Sequence, residues 1–197
     1  MYNVNDIFDR ELKKNNYTLV LSSKGVSKRL KISKNVNRYI LFDEIKPNPN
    51  YQELINFLNN FSLKDIKTII GIGGGSVMDF SKLVTAYLNL PFKEIKKFII
   101  NNKINESNKI RLVLVPTLYG SGSESTQFAV CYINKKKFSF SNKKLKAKKV
   151  WHLKNINNSI PKSIKIANIL DCFCQASESL TSKNKNSISI DSAKKCI

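Results

Sequence analysis

Thr68-Ile69-Ile70-Gly71-Ile72-Gly73-Gly74-Gly75-Ser76-Val77-Met78-Asp79 passes from a β-branched apolar run into a glycine cluster and then into residues at helical spacing. The run from Thr68 to Ile72 predicts a buried strand. Val77, Phe80, Leu83, Val84 and Tyr87 form one apolar stripe that ends before Pro91, which predicts a helix. Glycines between a strand and a helix let the backbone approach a pyrophosphate, and the first N–H groups of the helix point at it. Ser76 adds a hydroxyl donor. A tight turn with Ser76 and Asp79 as a capping pair is the alternative. Four glycines among residues 71–75 exceed what a turn needs, although Ser76 stands where G-x-G-x-x-G would carry its third glycine.

Outward from this stretch, Tyr17-Thr18-Leu19-Val20-Leu21 and residues 38–42 predict two further strands, closed by Ser22-Ser23-Lys24-Gly25 and Lys46-Pro47-Asn48-Pro49-Asn50. From Tyr51, the positions Leu54, Ile55, Phe57, Leu58 and Phe61 predict an amphipathic helix. Arg111-Leu112-Val113-Leu114-Val115 predicts a fourth strand, broken by Pro116. Short, continuously apolar strands separated by helices imply an α/β fold with a Rossmann-like parallel sheet covered on both faces. Beyond Pro116 the sequence predicts a hairpin of Phe128–Ile133 with residues 138–140, a short strand at 150–153, and helix from Pro161 onward. The expected division is an α/β dinucleotide-binding domain over 1–160 and, over 161–197, the first part of a helical domain. No internal repeat is present.

Composition narrows the class. A hydrophobic share of 42% suits a globular chain, and the N-terminal residues lack the apolar core of a signal peptide. No apolar run reaches the length of a membrane span. Four cysteines without framework spacing suggest reduced, small buried hydrophobes and a cytoplasmic address. The net charge of +20 invites a nucleic-acid reading, but only Arg10, Arg29, Arg38 and Arg111 accompany the lysines, which are spread along the chain. Residues 135–154 interleave Phe138, Phe140 and Trp151 with lysines; a solvated lysine face beside an apolar alternation is the expectation.

Pro116-Thr117-Leu118-Tyr119-Gly120-Ser121-Gly122-Ser123-Glu124-Ser125-Thr126 follows the fourth strand. Ligands of open α/β sheets bind at the carboxyl ends of strands, and small hydroxylic residues there suit a dinucleotide. A flexible connection is the plain alternative for one such loop. Two phosphate-suited loops on successive strand ends make a coherent site.

GIGGGSVMDFSK followed by PTLYGSGSESTQFAV resembles the paired signatures of the iron-containing alcohol dehydrogenases, with DEIKPNP before them and LDCFCQASES after. The resemblance implies an α/β nucleotide domain and, over 161–197, the first part of a helical metal-binding domain, with cofactor and metal between them. It implies that Gly73, Gly74, Gly75, Ser76 and Asp79 hold the pyrophosphate of NAD or NADP. Thr117, Ser121 and Thr126 would line the nicotinamide and diphosphate side, and Lys137 would reach a ribose. Leu118 replaces a usual threonine. Ser23, followed by Lys24, replaces an aspartate that grips the adenosine ribose in many members, so NADP is expected to be tolerated. FAVCYINKKKFS and LDCFCQASESLTS are most similar to the phosphonoacetaldehyde reductases, which make 2-hydroxyethylphosphonate.

For the family's divalent iron or zinc, Asp171 matches the aspartate ligand, and Gln175 stands one turn on where a histidine is usual. The only histidine, His152, matches no ligand. The expectation is therefore a C-terminally truncated NAD(P)-dependent alcohol dehydrogenase or aldehyde reductase with an incomplete metal site, and no assigned catalytic residue. A non-catalytic nucleotide-binding remnant, or half of a split enzyme, is the alternative. Phe173, Leu180 and Ile197 are expected to lie exposed, favouring a homo-oligomer or a complementary C-terminal chain. Expected partners are a small alcohol or aldehyde, such as a phosphonate, and neither nucleic acid nor membrane.

Overall fold

The computed structural model describes every residue except 13–16, 35–36, 62–64, 106, 108, 155 and 157–159. The chain divides into two compact units: Met1–Thr117 with Gly122–Lys154, and Leu118–Ser121 with Asn155–Ile197.

The first unit is built on a five-stranded, all-parallel sheet. Its strands are β1 (Tyr17–Leu21), β2 (Ile40–Phe42), β3 (Ile66–Gly73), β4 (Arg111–Pro116) and β7 (Lys149–Val150), in the order β2-β1-β3-β4-β7. Leu19, Val20 and Leu21 are all fully buried, as are Ile69, Ile70 and Leu112 to Val115 within 1%. Successive strand residues face opposite sides, so both faces of the sheet are covered. Helices α3 (Tyr51–Asn60), α4 (Gly75–Tyr87) and α5 (Phe92–Ile100) supply Leu54, Phe57, Leu83, Val84, Ile95 and Ile99 to one core. The hairpin β5 (Phe128–Ile133) and β6 (Lys136–Ser141) adds Cys131 and Phe140 to it. Asn134 and Lys135 both take positive φ at its two-residue turn, as a tight hairpin requires.

Several expectations need correction. The strand expected over 38–42 begins only at Ile40 and is exposed to half-buried, because β2 lies at the sheet edge. The strand expected at 150–153 is the two-residue β7. Three helices carry no counterpart in the sequence reading: α1 (Val4–Glu11), α2 (Lys24–Arg29) and α5. Helix α1 is fastened by Glu11, which pairs with Arg111 at the start of β4 and accepts the Trp151 indole N–H at 2.7 Å.

The second unit contains α6 (Lys162–Thr181), entered through Pro161, and α7 (Ser187–Cys196), capped by Asn186 and Ser189. Gly120 has φ +147° and a Cβ there would stand 2.9 Å from the Asn168 carbonyl oxygen, so only glycine lets this loop lie on α6. The cysteines depart from the expectation of buried hydrophobes. Only Cys131 is buried, its thiol pushed up to about 12 by desolvation, whereas Cys174 and Cys196 are exposed and Cys172 half-buried. The Cys172 and Cys196 sulfurs stand 3.1 Å apart.

Candidate nucleotide-binding site

The strand order reverses direction between β1 and β3, because the chain steps outward to β2 on one side and to β4 and β7 on the other. Ligands of doubly wound sheets bind in the crevice outside the carboxyl ends at such a switch point. The carboxyl end of β1 carries Ser22 and Ser23; that of β3 carries the glycine cluster. Ser22 is buried and donates its hydroxyl to the Ile72 carbonyl at 2.9 Å, fastening the two strand ends together.

Packing and ligand approach divide the glycines. A Cβ on Gly71 would lie 2.3 Å from Ser81 Oγ, and one on Gly73 would lie 2.5 Å from Val77, so these two let α4 settle against β3. Gly74 is the N-cap of α4 in extended backbone, and no side chain caps the helix. That corrects the capping-pair alternative: neither Ser76 nor Asp79 caps α4. The first-turn N–H groups at Gly75, Ser76 and Val77 therefore keep their donors for an anion, at the positive end of the helix dipole. Ser76 Oγ accepts the Asn48 backbone N–H at 3.1 Å, which leaves its own proton to donate. Asn48 takes φ +58° in the turn that β5 latches through Tyr132 N–H to the Pro49 carbonyl, 2.9 Å. Beside this turn opens a groove of about 550 Å³ lined by Asn50, Gln52, Tyr132 and Lys135 among others. The sequence marks Asn48 only as part of the Lys46-to-Asn50 turn, and that turn is the signal for it.

Thr117 follows β4, and its N–H donates to the Gly73 carbonyl at 2.9 Å, so the first and second loops leave the sheet side by side. The residue is fully buried, and its Oγ1 has no hydrogen-bond partner among the described residues. A buried, unpaired hydroxyl at a strand end fits a ligand that supplies the partner.

Asp79 lies one turn into α4 and turns to the second loop, accepting the Ser123 hydroxyl at 2.8 Å and the Val130 N–H. Burial raises its carboxyl above the usual range, against the Ser123 hydrogen bond and the Lys82 charge. Lys82, unassigned in the sequence reading although it closes GIGGGSVMDFSK, is fully buried. Its ammonium donates to the carbonyls of Ser123 (2.7 Å) and Phe128 (2.6 Å), with Ser123 Oγ at 3.2 Å and Thr126 Oγ1 at 3.4 Å. Desolvation brings it down to about 8, opposed by the charges of Asp79 and Glu124. A lysine within a buried apolar stripe was the signal that could have marked it.

Gly73 to Ser76, Asp79, Thr117 and Thr126 thus come together in the first unit. Ser23 begins α2 without a side-chain cap bond and bridges to Glu44, whose carboxylate pairs with Lys24 at 3.6 Å. Lys137 is exposed on β6, opposite Tyr132, and its charge reaches Asp79. Ser121 belongs to the second unit, as do Asp171 and Gln175, both exposed on α6. Among the described residues no three His, Cys, Asp or Glu side chains converge as a metal site. One carboxylate and one amide do not fit a resident iron or zinc by themselves. His152 is exposed. Around the basic stretch, Phe140 and Trp151 are buried and the lysines from Lys135 to Lys149 exposed, as the solvated-face reading expects.

Parallel strands that run out onto an uncapped helix N-terminus at a switch point place the chain among the Rossmann-like α/β proteins. The sequence pattern described as iron-containing alcohol dehydrogenase matches residues 8–151, and the chain belongs to that family. It is 25% identical over 140 residues to the 4-hydroxybutyrate dehydrogenase of Clostridium kluyveri, covering 70% of this chain and 37% of that protein. It is 33% identical over 90 residues to the NADPH-dependent aldehyde reductase of Escherichia coli, covering 45% and 23%. Among solved structures, the sulfoacetaldehyde reductase from Bifidobacterium kashiwanohense in complex with NAD+ superposes with a TM-score of 0.78 at 22% identity, covering 97% of this chain and 52% of that one. The chain spans well under half of these curated relatives and about half of the solved one.

Proposed function

We propose that this chain binds NAD(H) or NADP(H) across the ends of β1, β3 and β4, as the nucleotide half of an oxidoreductase that interconverts an alcohol and an aldehyde. The observation that carries this reading is the uncapped start of α4 beside the unpaired, buried Thr117 hydroxyl. The first-turn N–H groups and Ser76 hold the pyrophosphate; the adenosine lies toward Ser23, and the nicotinamide lies toward Thr117 and Thr126. When bound, the nicotinamide supplies or takes up the hydride. The protein's own work is to bind, orient and exclude water from that dinucleotide. Lysines near the site, Lys137 among them, favour an aldehyde carrying an anionic group. Phosphonoacetaldehyde is the substrate we propose, and the similarity to a sulfoacetaldehyde reductase supports an aldehyde of that kind.

Ser23 and Lys24 in place of a ribose-gripping carboxylate favour acceptance of the 2′-phosphate, and the relation to an NADPH-dependent reductase supports it. Glu44, paired with Lys24, works in the other direction. Titration of the purified chain with NADH and NADPH, followed by fluorescence with and without iron or zinc, tests the proposal. Saturable binding of both cofactors is expected; NADH alone removes the NADP part, and neither removes the nucleotide reading. A second reading, binding without turnover, is favoured by the two-residue donor set of Asp171 and Gln175. Turnover would then need metal donors from elsewhere, in a complementary chain or segment, and a reaction with phosphonoacetaldehyde and the chain alone would overturn it.

A further inference from the structure

Among the described residues of the first unit Lys82 is the one buried lysine, and its setting is unlike that of a solvated or surface-paired cation. Burying an ammonium is costly unless every proton finds an acceptor. Here two carbonyls and two hydroxyls provide them, all between Ser123 and Phe128 at the start of β5. One turn earlier on the same helix, Asp79 takes the proton of the Ser123 hydroxyl. The two side chains therefore grip the same serine from opposite chemical sides, the ammonium its oxygen lone pairs and the carboxylate its proton. Gly122, with φ +61°, turns the chain into this grip, and Ser125 N–H closes the turn on the Gly122 carbonyl at 3.0 Å.

The consequence for Thr126 is directional. Its Oγ1 accepts from Lys82 and donates to the Ser123 carbonyl, both at 3.4 Å, so the hydroxyl is held within the turn. The helix that presents its N-terminus to the first loop thus also holds the second loop, from its second and third turns. A phosphate cradle and a hydroxyl wall are then parts of one rigid element, fixed relative to each other before any ligand arrives.

We propose that Lys82 is a positioning residue for dinucleotide binding: it presets the Gly122-to-Thr126 turn against α4, and with it the second-loop wall on the nicotinamide side of the ligand. This rests on the nucleotide reading above, and the test separates the two. The full chain and its Lys82→Met variant are titrated with NADH by fluorescence and with 5′-AMP by calorimetry, alongside thermal melts. AMP carries only the adenosine side, which the Ser23 end and the glycine loop serve. Lys82→Met is expected to weaken NADH about tenfold or more while leaving AMP within about twofold. Unchanged NADH affinity overturns the proposal. So does a parallel loss of NADH and AMP, which would make Lys82 a brace for the whole fold. A wild-type chain that binds neither ligand overturns the nucleotide reading itself. Should Lys82→Met fail to fold, Ser123→Ala carries the test: it removes the shared hydroxyl and keeps the ammonium with its carbonyl partners. The same selective loss of NADH is then expected, and equal affinity for NADH before and after overturns the proposal.

Discussion

Thr117, at the end of β4, and Lys82, on α4, are both fully buried polar residues of the first unit, yet their chemistry differs in a way that predicts opposite behaviour. The Thr117 hydroxyl has lost water and finds no hydrogen-bond partner among the described residues. Thr117→Val keeps the shape and removes the unpaired group, so the chain should gain about 1 kcal/mol of stability while dinucleotide affinity falls. Denaturant melts beside NADH titrations measure both; a loss of stability would mean the hydroxyl has a protein partner after all. Lys82 is saturated with acceptors but desolvated, which holds it down to about 8 against an ordinary lysine near 10.5. Between those values the unfolded chain binds the proton and the folded chain does not, so folding becomes more favourable as pH rises through that window. The stability of the wild type relative to Lys82→Met should therefore climb between pH 8 and 10.5, by up to about 3 kcal/mol. A flat difference across that window would show that the ammonium is not desolvated.

At the scale of elements, β3 and α4 behave as one piece because two glycines let them touch. Gly71→Ala places a methyl 2.3 Å from Ser81 Oγ, 2.9 Å from its Cβ and 3.0 Å from Leu114, between the buried strands β3 and β4 and helix α4. Neither neighbour can retreat far, so a loss of about 3 kcal/mol is expected in chemical denaturation. Full wild-type stability would mean that the strand and helix are further apart than described. The sequence made β1, β3, β4, α3 and α4 legible because each carries a long apolar run or a full stripe with turn residues at its ends. It concealed α2, six residues long, and α5, whose buried Ile95 and Ile99 are set among exposed lysines. The start of α1 was signalled by Asn3 and Asp6, a reciprocal cap that is easily passed over when the segment is read for a signal peptide. At the site, the glycine cluster was legible as chemistry. Its division into packing and ligand-facing glycines was not, since that depends on what lies across from each Cα. Lys82 escaped for the same reason: composition marks a lysine as solvated, and only the fold supplies its four acceptors.

The two units differ in how much they bury, and that decides how the whole molecule should respond to opening. In the first, β1, β3 and β4 are covered on both faces and nearly every apolar residue of α4 is inside. In the second, α6 buries only Ala176 and α7 only Ala193. Ile169, Leu170, Phe173 and Ile197 stay at least half exposed, with Leu180 half-buried, close to what the sequence led one to expect. Burying a single alanine from each helix contributes little against the entropy of ordering some thirty residues. Local opening free energies follow such differences in buried apolar contact. Backbone amides of α6 and α7 should therefore exchange with solvent orders of magnitude faster than those of β1, β3 and β4, in native-state hydrogen exchange on dilute protein. If instead α6 is protected as strongly as the sheet, its apolar row must be covered by something outside this chain's own core. Raising the protein concentration would then increase that protection if the cover is a second copy, and would leave it unchanged if it is not.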